Sequence, residues 1–222
     1  CDQGPIDLGP ESTGMEWSRV VELRSSQSSY DNPVIWATGF PAYGDVYVWS
    51  RFTNPKLQHF HGSAWSAVSF QPTGNYSIDI WGSGPSDVYV TDRTGHHYDG
   101  VSWTDTKIPA WHVSGSDASN VFLSSDSLVV RFNGAAWDTL LHSQRAGHIR
   151  EVSAYGTNGG FFAAGDSLLQ WENNQWKAFK APALAYQVVW LADANCAVAS
   201  YDGGVGTTIW WFNGAWSPFS GP

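Results

Sequence analysis

From Trp17 onward the chain runs in apolar and polar alternations of about five to seven residues, each bounded by Gly, Pro, Ser or Asn, a pattern that predicts strands. These breakers interrupt every window of about eleven residues, so an amphipathic helix has nowhere to form. The clearest unit predicts four strands in succession: Asp79-Ile80-Trp81-Gly82-Ser83, Asp87-Val88-Tyr89-Val90, His96-His97-Tyr98-Asp99, and a fourth opening at Ser102-Trp103-Thr104. Gly84-Pro85-Ser86 marks the turn between the first two. Matching pieces recur as Ile35-Trp36 with Asp45-Val46-Tyr47-Val48, and as Val113-Ser114-Gly115-Ser116 with Asn120-Val121-Phe122-Leu123. They return as Ala154-Tyr155-Gly156-Thr157 with Phe161-Phe162-Ala163, and as Val189-Trp190-Leu191 with Ala197-Val198-Ala199, where Cys196 holds the place of Asp87.

A Gly-x-x-Trp marker fixes the period. It reads His59-Phe60-His61-Gly62 to Trp65, His97-Tyr98-Asp99-Gly100 to Trp103, and Arg131-Phe132-Asn133-Gly134 to Trp137. Weaker copies are Gln170-Trp171-Glu172-Asn173 to Trp176 and Trp211-Phe212-Asn213-Gly214 to Trp216, with a partial one at Thr13-Gly14-Met15-Glu16-Trp17. Spacings of roughly 34 to 48 residues between strand-rich units are those of propellers or stacked arrays. Four-stranded units apolar on both faces must be covered twice, and a ring of blades does this while leaving short edges. The expected fold is therefore all-β, a single propeller over residues 16–222 with five four-stranded blades, six being the alternative. Five copies of the first three strands are present but six of the fourth, so residues 17–23 are expected to close the ring in preference to Trp216-Ser217-Pro218-Phe219, where Pro218 lacks a donor. Residues 1–15, with two Pro, several Gly and no periodicity, read as a flexible tether.

In wording, the Trp-Gly-Ser, Asp-Val-Tyr and His-Tyr-Asp-Gly-x-x-Trp repeats resemble those of secreted bacterial propellers, including lipoproteins, over residues 17–216. Tachylectin-type lectins are similar in size and five-fold plan. The resemblance implies a secreted five-bladed propeller.

Composition narrows the partners. With 14 Trp and 42% apolar residues a large core is assured, and a net charge of −9 argues against nucleic acid and anionic lipid surfaces. No run of 18 apolar residues exists. Cys1 at the head of a tether resembles the acylated residue of mature bacterial lipoproteins, which implies export and lipid anchoring at the cell envelope, with inner and outer membrane both open.

Candidate chemistry is sparse. His59 and His61 alternate onto one side of a strand, but without an acid or Cys at ligand spacing they make an incomplete metal set, and no metal or cofactor is expected beyond the lipid on Cys1. Residues 201–208 are Gly-rich yet lack the Lys and the following helix of a phosphate loop, and no Gly-x-Ser-x-Gly occurs. Asp45, Asp87 and Asp99 read as turn caps, and most Trp as packing between blades. No enzyme is expected. Turns joining the first to the second strand, and the third to the fourth, emerge on one face and vary little; connections on the opposite face vary widely in length, as 50–57 and 66–77 show against 92–95 and 105–109. Binding is expected there, with Phe52, Tyr76, Arg93, His142, Arg145 and Tyr201 as anchors. The expected partner is another envelope protein or membrane complex. The alternative is a glycan, bound by a propeller lectin.

Overall fold

The computed structural model describes residues 34–38, 44–50, 56–72, 79–142, 149–164, 167–180, 186–193, 196–202, 207–212 and 214–218. Every regular element among them is a strand, and the strands form five antiparallel meanders of four. The first sheet holds β1 (Val34–Thr38), β2 (Asp45–Trp49), β3 (Leu57–His61) and β4 (Ala64–Ala67). The second holds β5 (Ile80–Gly84), β6 (Asp87–Thr91), β7 (Arg93–Tyr98) and β8 (Trp103–Ala110). The third holds β9 (His112–Asp117), β10 (Asn120–Ser124), β11 (Leu128–Phe132) and β12 (Trp137–His142). The fourth comprises β13 (Ile149–Tyr155), β14 (Gly159–Ala164), β15 (Ser167–Glu172) and β16 (Gln175–Lys180). The fifth comprises β17 (Tyr186–Asp193), β18 (Cys196–Asp202), β19 (Thr207–Phe212) and β20 (Trp216–Pro218). First strands of consecutive sheets pack together, β1 on β5, β5 on β9, β9 on β13 and β13 on β17, so the sheets radiate as propeller blades from an axis lined by first strands. Residues 1–15 and 17–23 lie outside the described residues, but the preference for 17–23 over 216–219 as the last fourth strand is corrected: Trp216–Pro218 fills that place in the fifth blade, Pro218 standing at the end of the strand opposite Trp210.

The second strands of the first four blades are buried on both faces, and their period of two divides them between neighbours. On β6, Val88 and Val90 join Tyr47, Trp49 and Leu57 of the first blade, whereas Tyr89 joins Val113, Val121 and Leu123 of the third. On β14, Phe162 and Ala164 pack with Phe122 and Val129 of the third blade, while Phe161 and Ala163 pack with Phe212 of the fifth. The second, third and fourth blades are thus each glued by one layer to the blade before and by the other to the blade after. Trp49, which the repeat columns leave unassigned, is 4% exposed in the first of these layers.

The Gly-x-x-Trp marker is the hairpin between third and fourth strands. Its Trp sits directly across from an aromatic residue, as Phe60↔Trp65, Tyr98↔Trp103, Phe132↔Trp137, Trp171↔Trp176 and Phe212↔Trp216. Such cross-strand aromatic pairs stabilise a sheet by about 0.2–1 kcal/mol each. Gly100 and Gly134 turn the chain at φ 89° and 92°, values that favour glycine, and the degenerate fourth copy uses Asn173 and Asn174 at φ 51° and 61° instead. The turn-cap reading of Asp99 holds, since its Oδ1 accepts the backbone N–H groups of Val101 and Ser102 at 2.9 and 2.8 Å.

Two strand expectations are corrected. The first strand of the fourth blade is Ile149–Tyr155, not 154–157, because Gly156 already turns at φ 53°. Residues 93–95 and 105–109 are strand, not loop. Asp105 Oδ1 accepts the Lys107 N–H at 2.7 Å and holds Lys107 at φ 61°, and this bulge lets β8 stay paired with β7 as far as Arg93↔Ala110.

Trp36 of the first blade lies over Gly82 of the second, and Trp81 over Gly115 of the third, where an added Cβ would meet ring atoms at 2.8 and 2.4 Å. In the third blade the matching residue is Ser114, and the glycine of the fourth blade becomes Ala154, whose N–H donates to Ser114 Oγ at 3.0 Å. Loss of the indole admits the methyl group, and a hydrogen bond takes over the link between blades.

Candidate functional site

The strand ends define two faces. One carries the first-to-second and third-to-fourth turns; the other, called here the loop face, carries the remaining connections.

Near the turn face, the acid that opens a second strand meets the polar residue of the third. Asp45 Oδ1 lies 2.6 Å from His59 Nε2 and 2.8 Å from His61 Nδ1. In the second blade Asp87 Oδ1 lies 2.7 Å from His97 Nε2, and Asp87 Oδ2 accepts the Ser83 hydroxyl at 2.5 Å. Register explains the meeting, because Tyr47 pairs with His59 and Tyr89 with His97, and each imidazole stacks on its tyrosine at 4.1 and 4.2 Å. Burial, followed by other charges that include the nearby aspartate, pushes the phenol pKa of Tyr47 and Tyr89 up, so both rings stay neutral. Burial also pulls the Asp87 carboxyl upward, but bonds from His97 and Ser83 outweigh it and hold the group below the ordinary range. Asp45 and Asp87 therefore act beyond turn capping: each ties second strand to third. Asp45 also supplies the acid that sequence spacing leaves out, and with His59 and His61 it makes a cluster of metal-ligand type.

The third blade rewires the same columns. Asn120 replaces the acid and Arg131 the histidine, with Arg131 Nε donating to Asn120 Oδ1 at 2.7 Å. Both reach the next blade: Asn120 Nδ2 donates to the Tyr155 and Gly159 carbonyls at 3.3 and 3.2 Å, and Arg131 to that of Thr157 at 2.9 Å. Beside them is a shallow recess of about 250 Å³ lined by Tyr155, Gly156, Thr157, Asn158, Gly159, Glu172 and Asn173.

At the loop-face end of the axis a second polar group assembles from three blades. Asp79 precedes β5 and stands opposite Thr91, whose N–H it receives; His112 pairs with Ser124 and Glu151 with Ala163. These are one column of the repeat, and in the outer blades it holds Val34 and Val188, paired with Trp49 and Ser200. Ligand atoms of Asp79, His112 and Glu151 all lie within 4.8 Å of one another. Asp79 is pinned by the N–H of Ile80 on Oδ1 and that of Val113, from the next blade, on Oδ2, both at 3.0 Å. Glu151 accepts the Val152 N–H at 3.3 Å. Burial pushes the Asp79 carboxyl up to about 6 against those two bonds, and burial with the Asp79 charge pushes Glu151 up to about 8. Burial also lowers His112, opposed by Asp126, and keeps the ring neutral. Sequence spacing missed this group because its members lie about 33 and 39 residues apart; only alignment of the repeat columns reveals them.

Of the expected binding anchors, Arg93 is exposed at the start of β7 with φ 63°, and His142 is exposed at the end of β12. Tyr201 is the penultimate residue of β18. All three occupy strand ends on the loop face. Phe52, Tyr76 and Arg145 lie outside the described residues. Connections on this face are uneven, from the single residue Trp111 between β8 and β9 to residues 68–79 between β4 and β5.

No protein-family model and no curated protein matches the chain. Its likeness is to solved structures. A crystal structure of the Aleuria aurantia lectin, described as a six-bladed β-propeller with a fucose recognition mode, aligns with TM-score 0.53 and 13% identity over 86% of this chain and 78% of the lectin. The N224Q mutant of that lectin with α-methyl-L-fucoside gives TM-score 0.50 at 13% identity over 85% and 77%. BBS1N in complex with ARL6DN gives TM-score 0.54 at 13% identity, over 82% of this chain and 64% of that one. At these identities the likeness carries the fold alone: the chain is an all-β propeller.

Proposed function

We propose that this propeller is a non-enzymatic binding and scaffolding module that docks through its loop face onto another protein of a bacterial cell envelope. The unequal faces carry this reading. Apart from residues 39–44, turns on one face are short and repeated, with Asp45, Asp87 and Asn120 tied into the blades beside them, whereas the loop face presents connections of very different length together with exposed Arg93 and His142. Irregular loops on a rigid frame are where recognition resides, and the similar BBS1N fold was solved with a protein, ARL6DN. The repeat wording of secreted bacterial propellers supports the envelope setting.

Affinity purification of the full chain from native membranes tests it. Recovery of one partner in stoichiometric amount, weakened by R93E combined with H142E, is the expected result. A glycan reading has one observation behind it, the recess lined by Tyr155, Asn158 and Glu172 in a fold similar to the Aleuria aurantia lectin. Purification as a lone monomer with saturable sugar binding would replace docking with that reading.

A further inference from the structure

We propose that Asp79, His112 and Glu151 bind a divalent transition-metal ion on the propeller axis, clamping the second, third and fourth blades at the loop-face end. The three groups come from different blades, and only the fold brings them together. Two carboxylates and one imidazole form a mixed oxygen and nitrogen set of the kind that holds Zn²⁺ or Mn²⁺ through three side chains with further positions left to water.

Three observations favour a cation over a plain polar knot. First, no basic side chain among the described residues forms an ion pair with either carboxylate, so two acids sit together uncompensated. Asp126, the other charge felt at His112, is also acidic. Second, the His112 ring has no hydrogen-bond partner among the described residues, although it is partly buried and within reach of both acids. Third, Asp79 is oriented by backbone N–H groups from two blades, the outer-sphere support that metal-ligating carboxylates receive. Ligand atoms on one such ion stand at most about 4.2 Å apart, and the observed spacing within 4.8 Å is closed by side-chain torsions.

The Asp45 group is the weaker site despite similar composition. Both imidazoles converge on one carboxylate oxygen, His59 is stacked on Tyr47, and the same pairing recurs at Asp87 and His97 with no second histidine. It behaves as a strand-to-strand lock.

The test uses metal-stripped full chain titrated with ZnCl₂ or MnCl₂, read by calorimetry and thermal melting. One ion per chain is expected, with a rise of about 5–10 °C in Tm at a hundredfold excess over Kd. E151Q and H112N should abolish both signals, and H61N should leave them unchanged. E151Q removes a buried charge, so it folds without the ion, and an unchanged far-UV spectrum secures the comparison. No stoichiometric binding by the native chain, binding that survives E151Q and H112N, or binding lost in H61N would each overturn the assignment.

Discussion

The chain builds two groups from the same side chains, carboxylate and imidazole, and uses them in opposite ways. Around Asp45 and Asp87 the acids and histidines come from adjacent strands of one blade, touch at 2.6 to 2.8 Å, and are held by stacked tyrosines. Around the axis, Asp79, His112 and Glu151 come from three blades, and the two acids accept from backbone N–H groups instead of from the imidazole. The first arrangement satisfies its charges internally and stabilises the fold. The second concentrates negative charge: burial raises both carboxyl pKa values, and the Asp79 charge raises that of Glu151 further. Residue type therefore does not separate a lock from a ligand site; what separates them is whether the donors needed by the acid belong to the cluster.

The largest effect is expected of D45A. It removes the acceptor of two imidazoles, in a residue only 5% exposed, and should lower unfolding free energy by about 2–3 kcal/mol. Denaturant unfolding measures it. A loss below about 0.5 kcal/mol would mean that the lock carries no stability.

Next in size is the blade contact beneath the axis. In G115A a methyl group meets the Trp81 ring, and the cost should be about 1–3 kcal/mol. W81S should suppress most of it, because Ser114 and Ala154 are a natural pair of this kind one blade on. A double-mutant cycle with no coupling between positions 81 and 115 would refute the pairing.

Much of this was legible in the sequence. Gly-x-x-Trp and Asp-Val-Tyr set the blade period and the ends of the second strands, because aromatic pairs and glycine at positive φ must recur wherever a hairpin recurs. Period two placed His59 and His61 on one side, and the structure brings both to Asp45. What escaped is what tertiary structure decides. Residues 105–109 look like a turn, yet Lys107 bulges and the strand continues. The acid completing the His59 pair lies on a neighbouring strand, and the axial group lies on neighbouring blades, so neither shows at local ligand spacing.

The two groups should also differ in their response to pH. In chelator-containing buffer the folded-state carboxyls of Asp79 and Glu151 are raised to about 6 and about 8, above their ordinary values. A raised acid contributes stability that is complete below its unfolded pKa and is lost as pH rises through the folded one. Tm of the native chain should therefore decline between about pH 4 and pH 8, and E151Q should reduce that decline and exceed the native chain near pH 9. Asp87 has the opposite sign, because its carboxyl is held low: its contribution is present above the unfolded pKa and lost only in acid. Parallel Tm curves for native chain and E151Q from pH 5 to 9 would contradict the buried charge at the axis.

The smallest effect is expected at His61, where the lock in the first blade exceeds its copy in the second. The imidazole side chain is 72% exposed and shares Asp45 Oδ1 with the more buried His59, whose side chain is 22% exposed. In the second blade the single pair of Asp87 and His97 suffices, and Ser83 supplies the other bond. H61N should consequently cost under about 1 kcal/mol, as exposed charged pairs do, whereas H59A takes away both the hydrogen bond and the face stacked on Tyr47 and should cost more. The reverse order in denaturant unfolding would show that solvent-facing His61 holds Asp45 in place, and that the two blades are locked by different means.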